Sequence, residues 1–234
     1  MEFQSAAVKV RKYAAEESGD SIEMVERPHG GLSFVLADGQ RSGRPAKIIS
    51  NLVARKTISL LGEGVRDGAA GRAAHDYLRT HRRGQVSATL TIVSLDLVSH
   101  TLVVSRNGPP VLLLEGSGGR VLDGACDPIG IRPGTKPMIV EVPLAVGLRA
   151  VAFSDGLLEA GVRTGAALSA EAWLELAAGW GMLPAEELAE RLLAHALALD
   201  AGRPQDDISI LVVGIYPVGD PNGARRMAVR VPLA

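Results

Sequence analysis

The chain has 234 residues, with 25 Lys and Arg against 26 Asp and Glu, a formal net charge of −1, and one cysteine. This balance gives no electrostatic reason to expect a nucleic acid or an anionic membrane as a partner. Because Cys126 stands alone, an internal disulfide is excluded and a zinc site of four Cys and His ligands is not expected. Aromatic residues make up only 3% of the chain, so Val, Leu, Ile and Ala must fill the core.

The sequence contains no segment typical of a secreted or membrane protein. Its beginning carries an acid at position 2 and lacks the apolar stretch of a secretory signal. The longest uncharged apolar stretch, residues 208–219, is too short to span a bilayer. We therefore expect a cytoplasmic globular protein, present as a monomer or weak dimer.

The hydrophobic periodicity predicts strands and helices in a definite order. Strand patterns at residues 8–10, 21–27 and 31–37 precede helical patterns at 45–62 and 66–83. Residues 87–114 then predict strands, with a turn at 107–110. Further strands are predicted at 120–122, 138–142 and 148–153, helices at 169–180 and 184–199, and strands at 207–216 and 227–231. Consecutive strands joined by short turns, with helices in pairs, favour antiparallel sheets covered by helices.

Aspartates stand where predicted strands begin or end. They are Asp20, Asp38, Asp155, Asp206 and Asp207. Carboxylates that converge at one edge of a sandwich repel each other unless a cation neutralises them. Oxygen ligands favour Mg²⁺ or Mn²⁺ over zinc, and two such ions can bind a phosphate and activate a water for in-line attack. The alternative for each Asp-Gly pair is a plain turn, which is its usual role after a strand.

The order of these motifs resembles a known family. Ser-Gly-Asp at 18–20, Ala-Asp-Gly at 37–39, Phe-Ser-Asp-Gly at 153–156 and Asp-Asp-Ile-Ser at 206–209 are similar to the metal-dependent (type 2C, PPM) protein phosphatases. The segments at 90–96, 106–114 and 127–130 also resemble the SpoIIE-like branch of that family. The resemblance covers residues 8–216. It implies a four-layer αββα sandwich, with two antiparallel sheets face to face and helices outside. The chain would be one phosphatase domain over 1–234, ending with a turn and a short strand over 217–234.

The resemblance also implies a catalytic centre of two divalent cations, Mn²⁺ or Mg²⁺. Asp38 would bridge both ions, and the carbonyl of Gly39 would add a ligand to one. Asp155 and Asp206 would bind the other ion, and Asp20 would hold metal-bound water or complete a coordination sphere. Asp207 stands where many relatives carry Asn, so we expect a supporting role for it. The nucleophile would be water.

One position departs from the family pattern. The turn after the bridging aspartate is usually Asp-Gly-x-Gly-x-Gly, whereas residues 38–43 read Asp-Gly-Gln-Arg-Ser-Gly, with Arg41 at a glycine position. Two hypotheses remain open for Arg41. It points to solvent, or it binds the substrate phosphate, for which a guanidinium is well suited.

The implied activity is hydrolysis of phosphoserine or phosphothreonine on a protein. In the SpoIIE-like branch the usual substrates are STAS-domain proteins, including anti-sigma-factor antagonists and stressosome components. Because the chain has no room for a sensor domain, we expect a stand-alone phosphatase like the short RsbX-type members. The alternatives are a pseudo-phosphatase that binds a phosphoprotein without turnover, and a hydrolase of small phosphate esters.

The family also suggests a regulatory hypothesis for the helices that follow Asp38. In this branch the equivalent helices resemble a switch that completes the metal site when a partner docks. Gly68 and Gly71 would loosen the second helix, since each costs about 1 kcal/mol relative to Ala. The alternative is that these glycines mark a helix start further along the chain.

Overall fold

Ten strands and five α-helices occur in the residues that the structure, a computed structural model, describes, namely 1–219 and 223–231. The strands are β1 (Glu2–Val10), β2 (Asp20–Glu26), β3 (Leu32–Gly39), β4 (Ala88–Asp96), β5 (Thr101–Asn107), β6 (Val111–Glu115), β7 (Gly118–Leu122), β8 (Met138–Pro143), β9 (Leu148–Phe153) and β10 (Ile208–Tyr216). The helices are α1 (Gly43–Gly62), α2 (Asp67–His81), α3 (Gly156–Glu159), α4 (Ala170–Gly179) and α5 (Ala185–Leu199).

The strands form two sheets of five strands each. The first sheet has the order β1-β10-β9-β6-β7, and the second has the order β2-β3-β4-β5-β8. Every pairing is antiparallel, as predicted.

Three hydrophobic cores hold four layers together. Leu113 and Leu211 belong to the core between the two sheets. Trp173 and Leu192 join the helices α4 and α5 to the outer face of the first sheet. Val53 and Leu78 join α1 and α2 to the outer face of the second sheet. The expected αββα sandwich is therefore confirmed.

Strand β10 illustrates why this arrangement suits the sequence. Ile208, Ile210 and Val212 pack toward the helices, whereas Leu211 and Val213 pack between the sheets. A strand buried on both faces needs a continuous apolar run, and residues 208–216 supply one.

Three details differ from the sequence expectations, and the first is that β1 begins at Glu2, whereas the strand was predicted only over residues 8–10. The short helix α3 was not predicted, since one turn is too short to establish a helical period. The predicted strand at 227–231 is wrong, because described residues 223–231 have no strand partner, and Met227 and Val229 are 72% and 88% exposed. Apolar alternation alone does not make a strand without a neighbour to complete its hydrogen bonds. Residues 220–222 and 232–234 of the predicted C-terminal segment lie outside the described residues.

The helix start near Gly68 is also settled. Helix α2 begins at Asp67, so the alternative of a start beyond Gly68 and Gly71 is wrong. A Cβ at Gly71 would meet Pro137 Cγ at 3.6 Å, an ordinary contact distance.

Within the described ranges, no helix combines the length and apolar character needed to cross a membrane.

Candidate metal centre

Two of the strand-end aspartates face each other in the second sheet. Asp20 begins β2, Asp38 lies at the end of β3, and the two are direct partners in the antiparallel register. Directly opposite residues have Cβ atoms about 4.5–5.5 Å apart, so their carboxyl groups meet. Asp20 is 1% exposed, and its Oδ2 has no hydrogen-bond partner among the described residues. A buried oxygen without a partner is costly and is typical of a site that accepts an ion or water.

The other two aspartates come from the first sheet. Asp155 follows β9 and Asp206 precedes β10, and these strands are antiparallel neighbours. The N–H of Ser154 donates to the carbonyl of Ser209 at 3.0 Å, which joins the end of β9 to the start of β10. Both carboxylates lie within electrostatic range of Asp38. The fold therefore brings Asp20, Asp38, Asp155 and Asp206 to one edge of the sandwich.

Burial, together with neighbouring carboxylates, raises the pKa values of Asp20, Asp38 and Asp155. Burial raises the pKa of Asp38 to about 9, and the charges of Asp20, Asp155 and Asp206 add to the shift. Burial also raises the pKa of Asp20 to about 6. The pKa of Asp155 is raised by burial and then by the charge of Asp206. Without a neutralising cation, the folded cluster therefore retains protons at neutral pH.

In both Asp-Gly pairs, the backbone of a neighbouring segment leaves no room for a side chain at the glycine position. A Cβ at Gly39 would collide with the backbone carbonyl of Ala46 in α1, and a Cβ at Gly156 would collide with the carbonyl oxygen of Asp207. Neither glycine has a positive φ. The plain-turn interpretation does not account for them, because they allow neighbouring backbone to pack against the carboxylate edge.

Both side-chain oxygens of Asp207 accept hydrogen bonds from backbone N–H groups. Its Oδ1 accepts a hydrogen bond from the N–H of Lys12 at 2.8 Å, and its Oδ2 accepts one from the N–H of Gly19 at 2.7 Å. The residue is 4% exposed. These bonds hold both ends of the loop between β1 and β2 and fit the expected supporting role.

Helix α1 contributes residues that the sequence analysis missed. Lys47 Nζ donates to the carbonyl of Asp20 and, at 3.0 Å, to Ser21 Oγ, while Lys9 Nζ donates to the same carbonyl at 3.3 Å. Ser50 Oγ donates to the carbonyl of Gly19. One signal was available in the sequence, since Ser50 is one of two polar residues, with Thr57, on the mainly apolar buried stripe of α1.

A comparison with protein families identifies the chain. The family described as Stage II sporulation protein E (SpoIIE) matches residues 28–216. The chain belongs to the SpoIIE family. This family has a phosphatase domain of the PP2C (PPM) type, which agrees with the observed sandwich.

Individual SpoIIE relatives and solved structures agree with this placement. Stage II sporulation protein E of Bacillus subtilis is 23% identical over 217 residues, which cover 92% of this chain and 25% of that protein. The structure of its PP2C phosphatase domain with a fragment of the regulatory domain has a TM-score of 0.80, 21% identity and coverage of 92% and 64%. The SiaA PP2C domain of Pseudomonas aeruginosa has a TM-score of 0.75, 22% identity and coverage of 90% and 84%. The chain thus spans a quarter of the length of Stage II sporulation protein E, the curated relative that it matches.

The chemistry of the SpoIIE-like site fits divalent cations. PP2C-type phosphatases depend on metal ions, and the cluster here offers carboxylate oxygens, including the buried unpartnered Oδ2 of Asp20. In the described ranges, no three His, Cys, Asp or Glu side chains are already arranged to hold one ion. Ion binding requires the protonated carboxyl groups of the cluster to lose their protons.

Arg41 occupies a backbone conformation that favours glycine. Its φ is +81°, in the left-handed region, and its exposed side chain makes no hydrogen bond or ion pair with a described residue. The family's glycine at this position therefore has a conformational reason, and this chain bears the strain of a larger residue there.

Proposed function

We propose that this chain is a protein serine/threonine phosphatase dependent on two Mn²⁺ or Mg²⁺ ions and acting in the cytoplasm. Its substrate would be phosphoserine or phosphothreonine on a STAS-domain, stressosome-type or anti-sigma-antagonist protein. The observation that carries the proposal is the convergence of Asp20, Asp38, Asp155 and Asp206 at one edge of the sandwich.

In this proposal each of the four aspartates has its own role in holding the ions. Asp38 lies within electrostatic range of the other three, which suits a carboxylate shared by both ions, with the carbonyl of Gly39 as a neighbouring ligand. Asp155 and Asp206 would hold one ion from the first sheet, and Asp20 would support the site from β2. Divalent cations in such a site neutralise the phosphate and activate water for in-line attack.

Arg41 is the proposed contact for the substrate phosphate. It lies three residues after Asp38 and has no other partner among the described side chains. A guanidinium can form two parallel hydrogen bonds with a phosphate, and charge-assisted bonds of this kind are stronger than neutral ones.

The partner proposal draws on the names of similar structures. One solved structure contains RsbU and RsbW domains from Mycobacterium tuberculosis, with a TM-score of 0.73 and 21% identity over 93% of this chain and 61% of that one. Another is described as "The bacterial stressosome: a modular system that has been adapted to control secondary messenger signaling". These names support a signalling phosphoprotein as substrate, and the stand-alone RsbX-type role is part of the same proposal.

The test is turnover of a phosphorylated STAS protein with Mn²⁺, with EDTA, and with Mn²⁺ restored. We expect activity only when the cation is present. Asp38→Asn and Asp155→Asn should each reduce the rate at least about a hundredfold, since a metal centre supplies several kcal/mol of transition-state stabilisation. Asp123→Asn is the matched control, because Asp123 is exposed and lies outside the cluster. Full activity after verified metal removal would contradict the proposal.

A pseudo-phosphatase that binds a phosphoprotein without turnover is the second candidate. The observation that favours it is Arg41, which stands at a glycine position of the family pattern and has a φ of +81° close to Asp38 in the chain. Binding of the phosphoprotein with no release of phosphate at saturating Mn²⁺ would establish this alternative.

A further inference from the structure

Side chains hold the backbone on both sides of the Asp20 Cα atom. Asp20 is the first residue of β2, an edge strand of the second sheet. The carbonyl of Gly19 accepts a hydrogen bond from Ser50 Oγ, and the carbonyl of Asp20 accepts one from Lys47 Nζ and another, at 3.3 Å, from Lys9 Nζ. These carbonyls belong to the two peptide groups that flank the Asp20 Cα atom. The bonds therefore restrict the backbone rotations that set where the carboxylate of Asp20 points.

The contacts from α1 form a buried polar network. Ser50 is 0% exposed and Ser21 is 2% exposed, and their hydroxyl oxygens lie 2.8 Å apart. Ser21 Oγ also donates to Asn51 Oδ1 at 2.7 Å and accepts from Lys47 Nζ at 3.0 Å. Breaking one of these bonds would leave a buried polar group unsatisfied, which is costly. The network therefore fixes the position of α1 relative to the start of β2.

The same part of α1 contacts the chain beside both facing aspartates. A Cβ at Gly19 would meet the Cβ of Ala46 at 2.7 Å, and a Cβ at Gly39 would collide with the carbonyl of Ala46. Gly19 precedes Asp20, and Gly39 follows Asp38. Because one turn of α1 packs against both segments, the polar bonds to β2 also determine how Asp20 is placed relative to Asp38.

We propose that Ser50 and Lys47 are positioning residues of the metal centre, which fix the carboxylate of Asp20 in the direction that a bound ion requires. The inference rests on the proposed function and adds two residues of α1 to the aspartates of that site. Both residues act through the backbone carbonyls on either side of Asp20. Loss of a group that orients a metal ligand typically weakens metal binding by about tenfold to a hundredfold.

The experiment measures Mn²⁺ binding to the metal-free protein by isothermal titration calorimetry, which does not require catalysis. Asp20→Asn identifies the Mn²⁺ ion whose binding depends on Asp20. We expect Ser50→Ala to weaken the binding of this ion by about tenfold. This substitution removes the hydroxyl that holds the Gly19 carbonyl and introduces no charge.

Lys47→Met tests the second positioning residue and has a sign that charge alone does not explain. Lys47 lies within electrostatic range of Asp20, so loss of its positive charge by itself would strengthen cation binding. If Lys47 holds the Asp20 carbonyl in place, Mn²⁺ binding should instead weaken, by about threefold. Unchanged or tighter binding would contradict a positioning role for Lys47.

Thr57→Val is the matched control for Ser50→Ala. Thr57 is also 0% exposed and lies about two turns further along α1, where its Oγ1 donates to the carbonyl of Val53 at 2.8 Å. The substitution removes a buried hydroxyl whose bond stays within the helix. We expect wild-type Mn²⁺ affinity in this variant, even where Tm falls. Wild-type affinity in Ser50→Ala, or an equal loss in Thr57→Val, would overturn the inference.

Binding and turnover separate this inference from the proposed function. Weaker Mn²⁺ binding in both Asp20→Asn and Ser50→Ala supports the positioning role, even where the wild-type protein releases no phosphate from a phosphoprotein. That absence of release would contradict the phosphatase proposal alone. Phosphate release that depends on Mn²⁺, together with wild-type Mn²⁺ affinity in Asp20→Asn or in Ser50→Ala, contradicts the positioning inference alone. A wild-type protein that binds no Mn²⁺ contradicts both.

Discussion

The carboxylate of Asp207 accepts a 2.7 Å hydrogen bond from the backbone N–H of Gly19, a residue 188 positions earlier in the chain. Through this bond, the start of β10 in the first sheet fixes the residue that precedes Asp20 in the second sheet. The other carboxylate oxygen accepts from Lys12, so both acceptors of Asp207 are used by backbone N–H groups. An asparagine offers only one such oxygen.

We therefore predict that Asp207→Asn destabilises the metal-free protein although it conserves volume. The side-chain amide N–H that this substitution introduces would face a backbone N–H and leave a buried donor unsatisfied, which costs about 1–3 kcal/mol. The measurement is the urea midpoint in EDTA. Asp123→Asn, an exposed substitution, should leave the midpoint unchanged. Equal midpoints for Asp207→Asn and wild type would show that the two hydrogen bonds are not needed.

Gly39→Ala should destabilise the protein by about 1–3 kcal/mol or more, because the added methyl group meets the Ala46 carbonyl and one of the two backbones must shift. Gly118→Ala in β7 is the matched control, since a Cβ there has nothing within 4 Å. The measurement is the thermal unfolding midpoint of both variants in EDTA. A loss of stability in Gly118→Ala equal to that in Gly39→Ala would contradict the close-packing explanation.

Stabilisation by Mn²⁺ should increase with pH. In the metal-free protein, the raised pKa of Asp38, from 3.8 to about 9, means that the folded state holds more protons than the unfolded state in this interval. The contribution of Asp38 to stability is therefore fully present below 3.8 and is lost as pH rises toward about 9. A cation that replaces the proton removes this loss, so the increase in Tm on adding Mn²⁺ should be larger at about pH 8 than at about pH 5.

The control for this pH dependence is Asp38→Asn, which removes the titrating carboxyl. It should reduce both the Mn²⁺-induced increase in Tm and its dependence on pH. An equal increase in Tm at both pH values in the wild-type protein would contradict the convergence of carboxylates as the cause.

Arg41→Gly should separate substrate binding from stability. Glycine adopts a φ of +81° without steric cost, and this gain offsets the extra freedom that glycine gives the unfolded chain. We expect stability to change by less than about 1 kcal/mol. If Arg41 binds the phosphate, kcat/KM on the phosphoprotein should fall at least about tenfold, which corresponds to the lower end of the range of about 1.5–3 kcal/mol for a charged hydrogen bond. An unchanged kcat/KM would show that Arg41 does not bind the phosphate and would support the hypothesis that its side chain points to solvent.

The aspartates are predictable from the sequence because each lies beside a strong strand pattern, and the ends of antiparallel strands meet at shared edges. Lys47 is not predictable in this way. Its contact with the carbonyl of Asp20 depends on how α1 packs on β2, and a lysine near a helix start is common on any surface. The φ of Arg41 is likewise set by the path of the chain between β3 and α1, and only the family's glycine pattern indicated it.

The pairing of β1 with β10 also has a consequence for synthesis of the protein. In the described part of the chain, β1 lies at the edge of the first sheet and β10 is its one neighbour. During translation β1 leaves the ribosome before β10, so β1 has no strand partner until residues 208–216 have also left the ribosome. Folding around such distant contacts is slow and exposes strand edges in the meantime. Because Asp206 lies two residues before β10, a nascent chain cannot complete the carboxylate cluster early, and the centre forms only after residue 206 has been translated.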